Sequence, residues 1–238
     1  MERNSILFIA LVTSLVTFMA NAGQEENVFE VDENTIRLTG VIDEWSAKTV
    51  EDKIKKLQNR LLNPDKINII IDSPGGYVMA GRKIVRTIKT SSIPVVCFID
   101  GMAASMAAFI FESCHRRLVG EDSILMFHEA SGGFQGPFNI VKSRSAFVYG
   151  YVAEMENEVA KRLGMTMEQY RPLAIDELWL SGAEAVKRGG ADALVKDVKC
   201  KTCGKKDDDI HIWSVPSLPL NRRGLEQIID IYWGLEIK

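Results

Sequence analysis

The 238-residue sequence lacks an excess of positive charge: 29 Lys and Arg stand against 32 Asp and Glu, for a formal net charge of −3. No stretch gathers a basic stripe, which argues against a nucleic-acid binder. Cysteine is scarce, with four residues in all, and a zinc site would be short of ligands. Cys200-Lys201-Thr202-Cys203 could form half of one, but only His211 follows nearby, which gives at most three ligands. A local disulfide or plain reduced thiols are favoured over a metal there, and no cofactor is expected. Cys97 lies in an apolar strand and reads as core. There is no internal repeat and no low-complexity tract. What is present, 46% hydrophobic residues, suffices for one domain with a full core and an appendage.

The first residues have their own pattern. Met1-Glu2-Arg3-Asn4 precedes an apolar run from Ile6 to Met19, and Ala20-Asn21-Ala22 ends it. Such an order reads as a secretory signal over residues 1–22, cleaved after Ala22, and it predicts a periplasmic or secreted protein. An uncleaved anchor is the alternative, although about 14 apolar residues barely span a bilayer. Residues 23–198 then form the main domain. Residues 199–238 form an extension that holds the two close cysteines and an apolar terminal helix, Leu225 to Leu235.

Between these ends the apolar periodicity alternates between strand and helix. Asn34 to Asp43 reads as a strand. Ala47 to Leu62 reads as a helix burying Val50, Ile54, Leu57 and Leu61. The unbroken run Ile67 to Ile71 is a buried parallel strand. Ser73-Pro74-Gly75-Gly76 is expected to turn sharply into a helix from Val78 to Lys89. Ile93 to Ile99 and Ile124 to Phe127 are further strands, and a long helix runs from Asn139 to Leu163. Short helices follow at Met167 to Tyr170 and Ser181 to Arg188. This order predicts an α/β fold with parallel pairing.

One stretch carries chemistry. In Gly101-Met102-Ala103-Ala104-Ser105-Met106-Ala107-Ala108, small residues flank a serine and let a substrate backbone approach its hydroxyl. A helix starting there would offer free N–H groups to an oxyanion. His128 follows 23 residues later at the end of another strand. Serine is a weak nucleophile until an imidazole takes its proton, so the pair is chemically coherent. The same octapeptide could also be a tight helix-packing surface.

Three landmarks stand in order: Ser73-Pro74-Gly75-Gly76, Gly101 to Met106, and Met126-Phe127-His128 with Gly132-Gly133-Phe134-Gln135-Gly136. In this the chain resembles the proteolytic subunit of the Clp protease, a self-compartmentalised serine peptidase. The likeness runs from Thr35 to Val195 and includes Leu180-Ser181-Gly182-Ala183-Glu184-Ala185-Val186. It implies a Clp-protease/crotonase-like α/β fold of repeated strand-strand-helix units with a projecting long helix. It implies Ser105 as nucleophile, His128 as general base, and the N–H groups of Gly76 and Met106 as the oxyanion hole. Gly75, Gly132 and Gly133 would bind the substrate main chain.

For the third triad member the resemblance points to Glu177, with its neighbour Asp176 as the competing carboxylate. It further implies peptide or unfolded-protein substrates and a homo-oligomeric ring. Only about 12 residues separate Ala22 from Thr35, where the family has a sizeable segment that helps seat an ATP-driven unfoldase. An ATP-independent peptidase is the expectation. Two rivals stay open. One is a serine-lysine peptidase similar to signal peptide peptidase, with Lys142 as base; the other is a ring or scaffold protein without catalysis.

Overall fold

The computed structural model describes residues 28–201. The expected leader at 1–22, Cys203, His211 and the expected helix at 225–235 lie outside the described residues. Strands β1 (Val28–Val31) and β2 (Thr35–Ile42) lead into helix α1 (Glu44–Gln58), strand β3 (Ile67–Gly76) and helix α2 (Val78–Lys89). Strand β4 (Val95–Ala104), helix α3 (Met106–Glu112), β5 (Arg116–Gly120) and β6 (Ile124–Phe127) follow. The long helix α4 (Phe138–Arg162) precedes α5 (Met167–Ile175), β7 (Leu178–Ser181), α6 (Gly182–Lys187), β8 (Ala193–Val195) and β9 (Asp197–Cys200).

In the seven-stranded main sheet, β2-β3-β4-β5-β8 lie side by side and are all parallel, as the alternation of strand and helix patterns predicts, while β6 and β7 branch off from β4. β1 and β9 form a separate parallel pair. The central strands are covered on both faces, which explains their unbroken apolar runs. Ile69, Ile71, Cys97 and Ile99 face one core together with α1, α2 and α3. Ile70, Val96 and Phe98 face a second, smaller core, where Phe29 of β1 stacks on Phe98 with ring centroids 4.8 Å apart.

Helix α1 starts at a reciprocal cap: the Asp43 carboxylate accepts from the Ser46 N–H at 2.8 Å, and Ser46 Oγ accepts from the Asp43 N–H at 2.9 Å. It ends at Gln58, so Leu61, expected on its buried face, is fully exposed. A second correction concerns Ser73-Pro74-Gly75-Gly76. These residues do not turn; they continue β3 as extended chain, with Val41 opposite Gly75 and Ile42 opposite Gly76. The sharp turn falls later, at Tyr77, the N-cap of α2.

Strand β4 also runs on past Ile99, as far as Ala104. Along its first part, Val96–Ile99, it pairs with β5. Along its last part, Met102–Ala104, it pairs with β6 instead. The sheet therefore forks at Asp100-Gly101. Gly101 sits there with φ +108°, and an added Cβ would lie 2.6 Å from Asp72 Oδ1, which accepts the Met102 N–H at 3.2 Å. Buried Ser123 bridges the crotch of the fork. Its hydroxyl donates to the Ile99 carbonyl at 2.7 Å and accepts the Gly120 N–H at 3.1 Å.

Two covalent or ionic ties cross the core beneath the fork. Cys97 of β4 is bonded to Cys114, just after α3, and both are fully buried. Cys97 is thus core, as expected, but a disulfide half as well. Arg117 of β5 is held by Glu112 Oε2 at 2.5 Å, by Asp192 Oδ1 at 2.6 Å and by the Gly189 carbonyl at 3.0 Å. Burial pushes the Glu112 carboxyl up from 4.5 to about 7, with Arg117 opposing the rise.

A carboxyl raised in this way binds more protons folded than unfolded between those two values. Its contribution to stability is full below 4.5 and is lost as pH rises through about 7. Urea unfolding across that window should give a flatter pH dependence for Glu112→Gln than for wild type. Equal slopes in the two proteins would show that Glu112 does not titrate there.

Candidate active site

Strand β4 ends in Ala103 and Ala104, both buried, and small side chains there let the chain reverse at Ser105 without a clash. Ser105 has φ 54° and ψ −125°. A left-handed φ on a residue with a Cβ costs on the order of 1–3 kcal/mol and persists only where surrounding contacts impose it. Those contacts are visible. The Ser105 N–H donates to the Met126 carbonyl at 2.9 Å, and its own carbonyl accepts from Ala108 at 3.0 Å and Phe109 at 3.3 Å. Ser105 is the N-cap of α3, yet its side chain makes no capping bond. The hydroxyl is not consumed in closing the helix. A strained residue between strand and helix is the geometry of a nucleophile elbow.

Gly75 completes this corner. It is buried, with φ +98°, and a Cβ there would fall 2.7 Å from Ser105 Cβ, 2.7 Å from the Ala104 carbonyl oxygen and 2.9 Å from the Met106 nitrogen. Only glycine allows β3 to lie this close to the serine. Gly76, the next residue, is exposed beside it. Met106 is the first residue of α3, where an N–H has no partner within the helix. Gly76 lies against the Ile42 backbone, next in the chain to Gly75, and Met106 follows Ser105 directly.

His128 follows β6 directly and is half-buried. Because β6 pairs with the end of β4, with Ala104 opposite Met126, serine and histidine emerge from the same edge of adjacent parallel strands. β6 also pairs antiparallel with β7, in the register Ile124↔Ser181 to Phe127↔Leu178. The ladder ends at Phe127↔Leu178, so His128 and Glu177 are the residues that next leave it on either side. Beyond the ladder the Glu129 N–H and the Glu177 N–H both donate to the Ala174 carbonyl, at 3.2 and 3.3 Å, which keeps the two segments adjacent.

Glu177 has φ 62°, and its Oε2 accepts from the indole Nε1 of Trp179 at 3.1 Å. Asp176 is the C-cap of α5, and both it and Glu177 are exposed. Trp179 was not anticipated as a neighbour of the site. Gly132 and Gly133 lie in the exposed segment between β6 and α4, in open space. Lys142 is exposed on α4 and is not buried with the serine. Burial is what would make a lysine a neutral base.

A comparison with protein-family models matches residues 21–198, more than half of the chain, to the family described as Clp protease. The matched span includes β3, β4, α3, β6 and β7, the elements that build this corner.

The close approach of Gly75 gives a direct test. Gly75→Ala should lower peptidase kcat/KM by about 100-fold or more, since displacements near 1 Å at a reacting centre have that effect. The assay is peptide hydrolysis with a thermal melt alongside. An alanine variant as active as wild type would remove Gly75 from the site.

Proposed function

The chain belongs to the Clp protease family, a family of peptidases that form rings and bind peptide substrates, and from that premise we propose a serine endopeptidase with Ser105 as nucleophile. The observation that carries this reading is the strained Ser105 turn, pressed against Gly75 one strand away from His128. Ser105 Oγ attacks the scissile carbonyl carbon while His128 accepts the hydroxyl proton. The carbonyl oxygen, now negative, is received by the N–H groups of Gly76 and Met106. The C–N bond then breaks and His128 returns the proton to the departing amine. Water next attacks the acyl ester, gives a proton to His128 and frees the serine. Glu177 orients the imidazole. Gly75, Gly132 and Gly133 hold the substrate as an added strand through its main chain.

Residues 1–22 act as an export signal, 23–198 as the peptidase and 199–238 as an extension. Support for export comes from the buried Cys97–Cys114 bridge and from Cys200, which is disulfide-bonded too. Disulfides of this kind belong to oxidising compartments such as the periplasm or the cell exterior. ATP is lacking there, so the enzyme works on peptides and unfolded chains without an unfoldase. The outer half of α4 exposes Phe138, Phe147 and Tyr149, at 94%, 68% and 54%. Apolar surface of that extent fits burial against a second copy in a ring assembly.

A fluorophosphonate probe tests the chemistry. Wild type and Lys142→Ala should label; Ser105→Ala and His128→Ala should not. Labelling kept in His128→Ala and lost in Lys142→Ala would replace this mechanism by a serine-lysine one. An assembled wild type that never labels would be a scaffold. Glu177→Ala should lower kcat by roughly 10⁴-fold, the loss that follows replacement of a triad carboxylate, while Asp176→Ala stays near wild type. The reverse pattern would move the role to Asp176.

A further inference from the structure

The only disulfide fully described lies around the proposed nucleophile. Cys97 and Cys114 are separated by 17 residues, and Ser105 lies between them. The bond therefore closes a covalent loop from the middle of β4, through the serine turn and α3, back to β4. From this geometry we infer that the Cys97–Cys114 disulfide is a positioning element for catalysis, holding α3 at the depth that keeps Ser105 and the Met106 N–H in register with Gly76. The inference rests on Ser105 being the nucleophile.

Helix α3 has seven residues, too few to be stable alone. Its side chains are all buried, Glu112 in an ion pair with Arg117 of β5 and the others among apolar neighbours. The N-terminal end is tied by one backbone bond, Ser105 N–H to the Met126 carbonyl. At the other end Cys114 is bonded to Cys97, which sits on the strand paired to β3 on one side and β5 on the other. The helix is thereby fixed to the most rigid strand of the sheet. A shift of α3 away from Gly75 would relieve the left-handed φ of Ser105 and pull Met106 out of the oxyanion position. With both ends tied, that relaxation is closed off. Since both sulfurs are fully buried, the bond is a permanent brace and does not present itself to small reductants in the folded protein.

The test is the double variant Cys97→Ala/Cys114→Ala in the full chain, with Cys97→Ser as a second variant. Intact mass before and after reduction under denaturant first counts the hydrogens gained by the wild type. At a temperature well below both melting points, the double variant should acylate with fluorophosphonate, and turn over peptide, at least about 10-fold more slowly with KM unchanged, as expected of a displaced reacting group. A brace that only stabilised would lower the melting temperature and leave both rates alone. That outcome, or a wild type without the bond, overturns the inference. If Ser105→Ala still labels or cleaves, the nucleophile itself is misassigned, a separate and recognisable failure.

Discussion

The change of partner along β4 is the constraint on which the corner depends. A strand that paired with one neighbour throughout would deliver its C-terminal end into a closed ladder. Here β5 leaves at Ile99, Gly101 bends the chain against Asp72, and β6 takes over at Met102. That exchange brings the Met126 carbonyl to the Ser105 N–H and so fixes the histidine two residues further on. The buried hydroxyl of Ser123 bonds to backbone of β4 at Ile99 and of β5 at Gly120. Main-chain groups freed by the split are thus still satisfied, as a buried backbone requires.

Strain and support are matched at this point. The left-handed Ser105 would relax if its flanks could move, and each flank is pinned differently: one by a backbone hydrogen bond, one by a glycine contact, one by a disulfide. Glu177 repeats the pattern on the facing strand, where a second left-handed residue is tied down by the Trp179 indole. Among the described residues, both left-handed ones that carry a Cβ thus lie where β4, β6 and β7 meet, in keeping with the tendency of strain to gather at functional sites.

Much of this was legible in the sequence, because the signals were local. Small residues around Ser105, the apolar runs of the central strands and the periodicity of α2 and α4 each follow from their own residues. Contacts between distant segments were less accessible. Cys97 reads as core because a buried half-cystine and a buried thiol share the same apolar neighbours; only the fold brings Cys114 to it. β5 escapes notice because its strand begins with Arg116-Arg117, and the burial of Arg117 depends on Glu112 and Asp192 arriving from elsewhere. The glycine pair misleads in the opposite way. Gly75 and Gly76 suggest a turn, yet their use is close approach within a strand.

One pairing bears on how the molecule is assembled. β1, the first described strand, finds its partner in β9, the last one, and Phe29 of β1 closes the smaller core over Phe98. A chain emerging from its N-terminus would expose that aromatic face until Cys200 had arrived. Pairings this distant in sequence are slow to form. The second core is thus a closing step that waits until β9 has been made.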